Sequence, residues 1–144
     1  MSPQARAGLR RLASSAPVVV FSFSDCPWCV AAKATLEGCA LTGTAEPAVY
    51  EIDEMGREGK VLRAALAEAT GRTSMPNVFV GGRSIGGFTD GYEDRPAADG
   101  PSVTSGLGRD CEWVWPGSPG LEALHESGRL RGMLQAASCN LGGL

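Results

Sequence analysis

Apolar positions along the chain switch between two rhythms. Val18-Val19-Val20-Phe21 is an unbroken β-branched and aromatic run behind Pro17, the pattern of a strand buried on both faces. Residues Val30 to Glu37 are alanine-rich with no internal Gly or Pro, which predicts a helix that Gly38 stops. Ala48-Val49-Tyr50-Glu51-Ile52-Asp53 alternates as a second strand. Val61, Leu62, Ala65, Leu66 and Ala69 then recur at helical spacing within 59–69, and Gly71 follows as a suitable C-cap. Asn77-Val78-Phe79-Val80 predicts a third strand, Gly81-Gly82 a two-residue turn and Arg83-Ser84-Ile85 a short returning fourth. Upstream, Leu9 and Leu12 mark an amphipathic helix that ends before Pro17. Downstream, helices over 121–127 and 129–137 turn Leu121, Leu124, Leu130, Met133 and Leu134 toward the sheet.

The order is β-α-β-α-β-β-α behind an extra N-terminal helix. Two strands joined through a helix form a right-handed crossover, so the first two should pair in parallel. The prediction is an α/β fold of one domain over 1–144, with a four-stranded mixed sheet and helices on both faces. Residues 91–120 break the plan, because Pro96, Pro101, Pro116 and Pro119 stand among Gly, Asp and Ser with no period of two or 3.6. We read 92–119 as a Pro/Gly-rich inserted loop, tolerated because closure entropy grows only logarithmically with length. Residues 138–144 read as a flexible tail.

The candidate chemistry lies where the first strand meets the first long helix, at Cys26-Pro27-Trp28-Cys29. Pro27 suits the first helical position, which leaves Cys26 at the N-cap facing unpaired N–H groups and the positive end of the helix dipole. A cysteine is nucleophilic only as the thiolate, which that seat favours. Cys29 lies one turn on and points further inward, so Cys26 is the attacking thiol and Cys29 the resolving one. A structural zinc site would need a second spaced pair of ligands, which Cys39, Cys111, Cys139 and the single His125 do not supply. Cys39 reads as a half-buried spare thiol and His125 as a solvated helix residue.

Composition narrows the classes. A formal charge of −3 gives no basic field for nucleic acid or anionic membrane. Five cysteines, an odd number, make no disulfide framework and fit a reducing compartment. No run reaches membrane-spanning length, and the N-terminus has no apolar secretory core. A cytoplasmic protein is expected, or a chloroplast or mitochondrial one if the arginine-bearing N-terminus is processed.

Several separated motifs occur together: Phe21-Ser22, Cys26-Pro27-Trp28-Cys29, Thr70-Gly71 ahead of Met75-Pro76-Asn77-Val78-Phe79-Val80, Gly86-Gly87-Phe88-Thr89-Asp90, then Leu124-His125 and Gly128-Arg129-Leu130. In that order they resemble a glutaredoxin of the dithiol Cys-Pro-x-Cys class, over roughly residues 5–90 and 120–137. The resemblance implies a thioredoxin-like fold and glutathione-dependent reduction of glutathione mixed disulfides and protein disulfides. Catalysis would rest on Cys26 and Cys29. Pro76, in cis, would hold the backbone of Met75 opposite Cys26. Gly87 and Thr89 would turn the backbone around the γ-glutamyl carboxylate of glutathione, and Asp90 would take its amino group. Trp28 stands where Tyr is common and would cover the groove. Deleting Tyr92 to Pro119 would restore the family's usual spacing.

Two departures follow. Phe23 stands where many members carry a Lys that meets the glycyl carboxylate, and Arg72 is displaced by one position, so Arg72 or Lys33 is the candidate for the missing cation. Glutathione is then expected as co-substrate with no metal, and the partners are glutathione and glutathionylated or disulfide-containing proteins, met by a monomer. The alternative is a dimeric carrier holding a [2Fe–2S] cluster through Cys26 thiolates and two glutathiones, against which Pro27 counts. A thioredoxin served by a reductase fits the Cys-Pro-Trp-Cys motif less well. Cys111, between the prolines and flanked by Trp113 and Trp115, is a candidate lid over the site.

Overall fold

A computed structural model describes residues 1–92 and 112–142, with side chains through 138. The expectations for Cys111 and for the middle of the inserted loop lie outside the described residues. Four strands, β1 (Val18–Ser22), β2 (Ala48–Glu51), β3 (Asn77–Val80) and β4 (Arg83–Gly86), form one mixed sheet in the order β2-β1-β3-β4. β1 runs parallel to β2 and antiparallel to β3, which runs antiparallel to β4. The sheet is central because β1 is buried along its whole length.

The period of two in β1 divides the core. Val19 and Phe21 join one layer with Leu9, Leu62, Leu66 and Phe79, under helices α1 (Pro3–Ala13) and α3 (Gly56–Thr70). Val18 and Val20 join the other with Leu36, Leu124, Leu130 and Leu134, under α2 (Pro27–Leu41), α4 (Leu121–Glu126) and α5 (Arg129–Gly142). This is the expected α/β sandwich with helices on both faces.

Three boundaries differ from the sequence reading. Helix α2 passes through Gly38 and ends at Leu41, since Gly38 lies on an open face while Leu36 and Cys39 stay buried beside it. β2 stops at Glu51, where the chain tightens into a 3₁₀ turn over Ile52–Glu54. Helix α5 continues to Gly142 across most of the segment read as a tail, because no proline or glycine interrupts 133–141.

The inserted loop is anchored at both roots. Tyr92, Trp113 and Val114 are all buried in the α1–α3 layer. Val114 makes an isolated parallel bridge to Ser84, through Ser84 N–H to Trp113 O at 2.7 Å and Trp115 N–H to Ser84 O at 2.9 Å. A short fifth rung therefore lies along the outer side of β4. Helix α1 holds it there. The Arg10 guanidinium sits 3.9 Å over the Trp113 ring and donates to Gly82 O and Glu112 O, and Arg6 pairs with Glu112. Sequence pattern missed this rung because one bridged residue is too short to show a period.

Candidate functional site

The loop between β1 and α2 is fixed before it reaches the cysteines. Ser24 donates from its N–H and its hydroxyl to the Asp53 carboxylate, at 3.0 and 2.6 Å, and these bonds hold that carboxyl below its ordinary value. Pro27 opens α2 with Cys26 as its N-cap, whose side chain makes no capping hydrogen bond among the described residues. Cys26 Sγ is partly exposed and faces Met75 O at 3.8 Å. Cys29 Sγ is buried and accepts the Phe23 N–H at 3.3 Å. Burial is the main cause that pushes the Cys29 thiol up to about 11, and its hydrogen bond to Cys26 adds to the rise. The two sulfurs are thus unequal, one partly open and facing the Met75 carbonyl, the other enclosed and harder to ionise.

The Met75–Pro76 peptide is cis and both residues are buried, with the Met75 carbonyl turned toward Cys26. Next to it, the turn Gly87–Asp90 is closed by Gly87 N–H to Asp90 O at 2.8 Å. Helix α4 docks its first N–H groups on this turn, Leu121 to Gly87 O and Glu122 to Phe88 O. Among the described residues, the N–H groups of Thr89 and Asp90 donate to no protein acceptor, and both residues are exposed. Trp28 is 55% exposed, and its ring stacks on Phe88 at 6.0 Å and 26°. Cys26 thus lies against Met75, Gly87 against Pro76 O, and Trp28 on Phe88 of the turn that carries Thr89 and Asp90.

Charge is distributed differently from the sequence expectation. Lys33 is bound to Glu51 at 2.7 Å, which raises its pKa. Arg72 lies behind the Gly87 turn and grips Asp90 with both terminal nitrogens, at 3.1 and 3.3 Å. Gly87 makes this possible, because a Cβ there would stand 2.5 Å from the Arg72 terminal nitrogen. The cation beside Phe23 is Arg63, whose guanidinium lies 5.3 Å over the ring while its Nε donates to Thr73 O at 3.0 Å. Sequence reading missed Arg63 because a polar position on α3 looks solvated until the fold brings Phe23 beneath it. Cys39 and His125 stand outside the groove, 3.9 Å apart at the far end of α2.

Residues 18–85 match the glutaredoxin family. The chain is 43% identical over 86 residues to glutaredoxin-C6 of Oryza sativa subsp. japonica, covering 60% of this chain and 72% of that protein. It is 37% identical over 82 residues to monothiol glutaredoxin-S10 of the same plant, covering 57% of this chain but only 48% of that longer protein. Among solved structures, a buckwheat glutaredoxin–glutathione complex superposes with a TM-score of 0.63 at 26% identity, covering 96% of each chain.

Proposed function

The chain belongs to the glutaredoxin family, and from that premise we propose that it reduces glutathione mixed disulfides with glutathione as co-substrate. The observation that carries the reading is the inequality of the two thiols, with the more open one facing the Met75 carbonyl. Cys26 thiolate attacks the glutathionyl sulfur of a mixed disulfide, so the Cys26–glutathione bond forms as the substrate leaves as its thiolate. A second glutathione thiolate then attacks that sulfur, releasing glutathione disulfide and restoring Cys26. With a protein disulfide, Cys26 thiolate attacks one sulfur, breaking that bond and forming a mixed disulfide as the first protein thiolate leaves. Cys29 then gives up its proton and attacks Cys26 Sγ, closing the Cys26–Cys29 bond as the second protein thiolate leaves. The enclosed, protonated state of Cys29 makes that branch the slower one near neutral pH.

Glutathione would lie along the groove with its γ-glutamyl carboxylate on the free N–H groups of Thr89 and Asp90 and its amino group on Asp90. Its cysteinyl backbone would pair with Met75 as an added strand. Arg63, over Phe23, takes the glycyl carboxylate. The likeness to a buckwheat glutaredoxin–glutathione complex supports glutathione as the ligand. The reading places the protein in a reducing compartment, as a monomer.

Turnover of a glutathione–hydroxyethyl mixed disulfide, coupled to glutathione reductase, tests the proposal. Cys26→Ser should abolish activity, Cys29→Ser should keep it, and Arg63→Ala should raise KM about tenfold. Equal loss in both cysteine variants would overturn the assigned roles. A stable visible chromophore after anaerobic iron and sulfide reconstitution, without turnover, would instead make the chain a [2Fe–2S] carrier.

A further inference from the structure

We propose that Tyr92, on the first root of the inserted loop, is a positioning residue that holds Arg72 and the Met75 loop in place for glutathione. The inference rests on the groove assignment above and extends it to residues outside the family's motifs.

Tyr92 is held firmly before it acts on anything. Its N–H donates to Ser118 O at 2.6 Å, and its carbonyl accepts from Gly117 N–H at 3.1 Å. Its side chain is fully buried, and burial raises the phenol's pKa, so the hydroxyl keeps its proton and can donate. The direction of the bonds then follows from counting hydrogens. Ser84 has one hydroxyl hydrogen and gives it to Asn77 Oδ1 at 2.6 Å. The 2.7 Å contact between Ser84 and Tyr92 must therefore be a donation from Tyr92. Asn77 Nδ2 donates to Thr70 Oγ1 at 3.1 Å, and Thr70 passes its own hydrogen to Leu66 O at 2.7 Å. Thr70 Oγ1 also accepts the Arg72 N–H at 3.3 Å.

This chain of bonds runs one way, from the inserted loop through β4 and β3 into the last turn of α3. Thr70 and Asn77 are the residues on either side of the 71–76 segment, which carries Arg72, Met75 and Pro76. Their bond closes the base of that segment, and Ser84 with Tyr92 braces the closure from behind. The Arg72 guanidinium, which grips Asp90, also lies 6.0 Å from the centre of the Tyr92 ring. Arg72 thus contacts both the Tyr92 ring and the carboxylate expected to meet the glutathione amino group. A buried network in which each member is satisfied fixes one geometry. Here that geometry belongs to the groove, although Tyr92 itself touches no substrate.

The test compares Tyr92→Phe, which removes only the hydroxyl, with Tyr92→Leu, which also removes the ring. KM for the glutathione–hydroxyethyl mixed disulfide should rise about fivefold in the first and further in the second, with kcat kept, since Cys26 is untouched. Thr70→Val should reproduce the shift, and Thr70→Ser should restore it. Leu134→Ala, in the opposite layer, provides a variant with lowered Tm and unchanged KM. If Tyr92→Phe lowers Tm as Leu134→Ala does but leaves KM within about twofold of the parent chain, Tyr92 is merely structural and the proposal is overturned. If the parent chain neither turns over nor binds glutathione by calorimetry, the functional reading falls, and this inference with it. Normal parent turnover with an unmoved variant KM overturns the inference alone.

Discussion

At the scale of single residues, the site works by giving two identical thiols different surroundings. Cys26 stands at a helix head with an open side; Cys29 sits one turn deeper, against Phe23 N–H and behind apolar packing. A thiol whose folded pKa is about 11 stays protonated below that value and ionises only as the pH climbs toward it. Iodoacetamide at pH 8 should therefore label Cys26 in the reduced, folded protein and spare Cys29, as read by mass spectrometry of peptides. Cys29 should become reactive only as the pH nears 11, or when the chain is unfolded at pH 8. Equal labelling of both at pH 8 would contradict the assignment. The sequence carried this asymmetry well, because N-cap placement and helical spacing are local properties. It carried the charges poorly. Whether Arg72, Lys33 or Arg63 serves the groove depends on contacts to Asp90, Glu51 and Phe23, each at least 18 residues away.

At the scale of elements, the strands and the long helices were legible because their apolar period is sustained over many residues. β3, for example, occupies the span 77–80 that its residues predict. What the pattern could not show was the rung at Val114, where tryptophans amid prolines and glycines resemble loop rather than core. The structure makes Trp113 a core residue, 2% exposed, with two arginines of α1 over its ring. Trp113→Ala should cost about 3–5 kcal/mol in urea unfolding, by loss of buried area and of the cation–π contacts. A cost below about 1 kcal/mol would mean that the rung is dispensable.

At the scale of the whole molecule, the inserted loop divides into parts with different roles. Its roots fill the α1–α3 layer, whereas 93–111 joins them. Removal of 92–119 would take Tyr92, Trp113 and Val114 out of one layer together, and the chain should fail to fold cooperatively. Replacement of 93–111 alone by a Gly-Ser linker of about eight residues should leave Tm and turnover near those of the parent. Thermal denaturation followed by circular dichroism separates the two constructions. If the full deletion melts like the parent, the roots are not part of the core.

The parallel bridge at Ser84 also sets how this protein can meet others. A sheet recruits a further strand along whichever margin leaves its peptide groups unpaired. Here the Trp113–Trp115 backbone already occupies that position next to Ser84, so a strand from a second copy would be turned away there. Recruitment would have to proceed beside β2, at the opposite margin of the sheet. Self-association under heat should then be one-sided, and a single proline in β2 should be enough to suppress it.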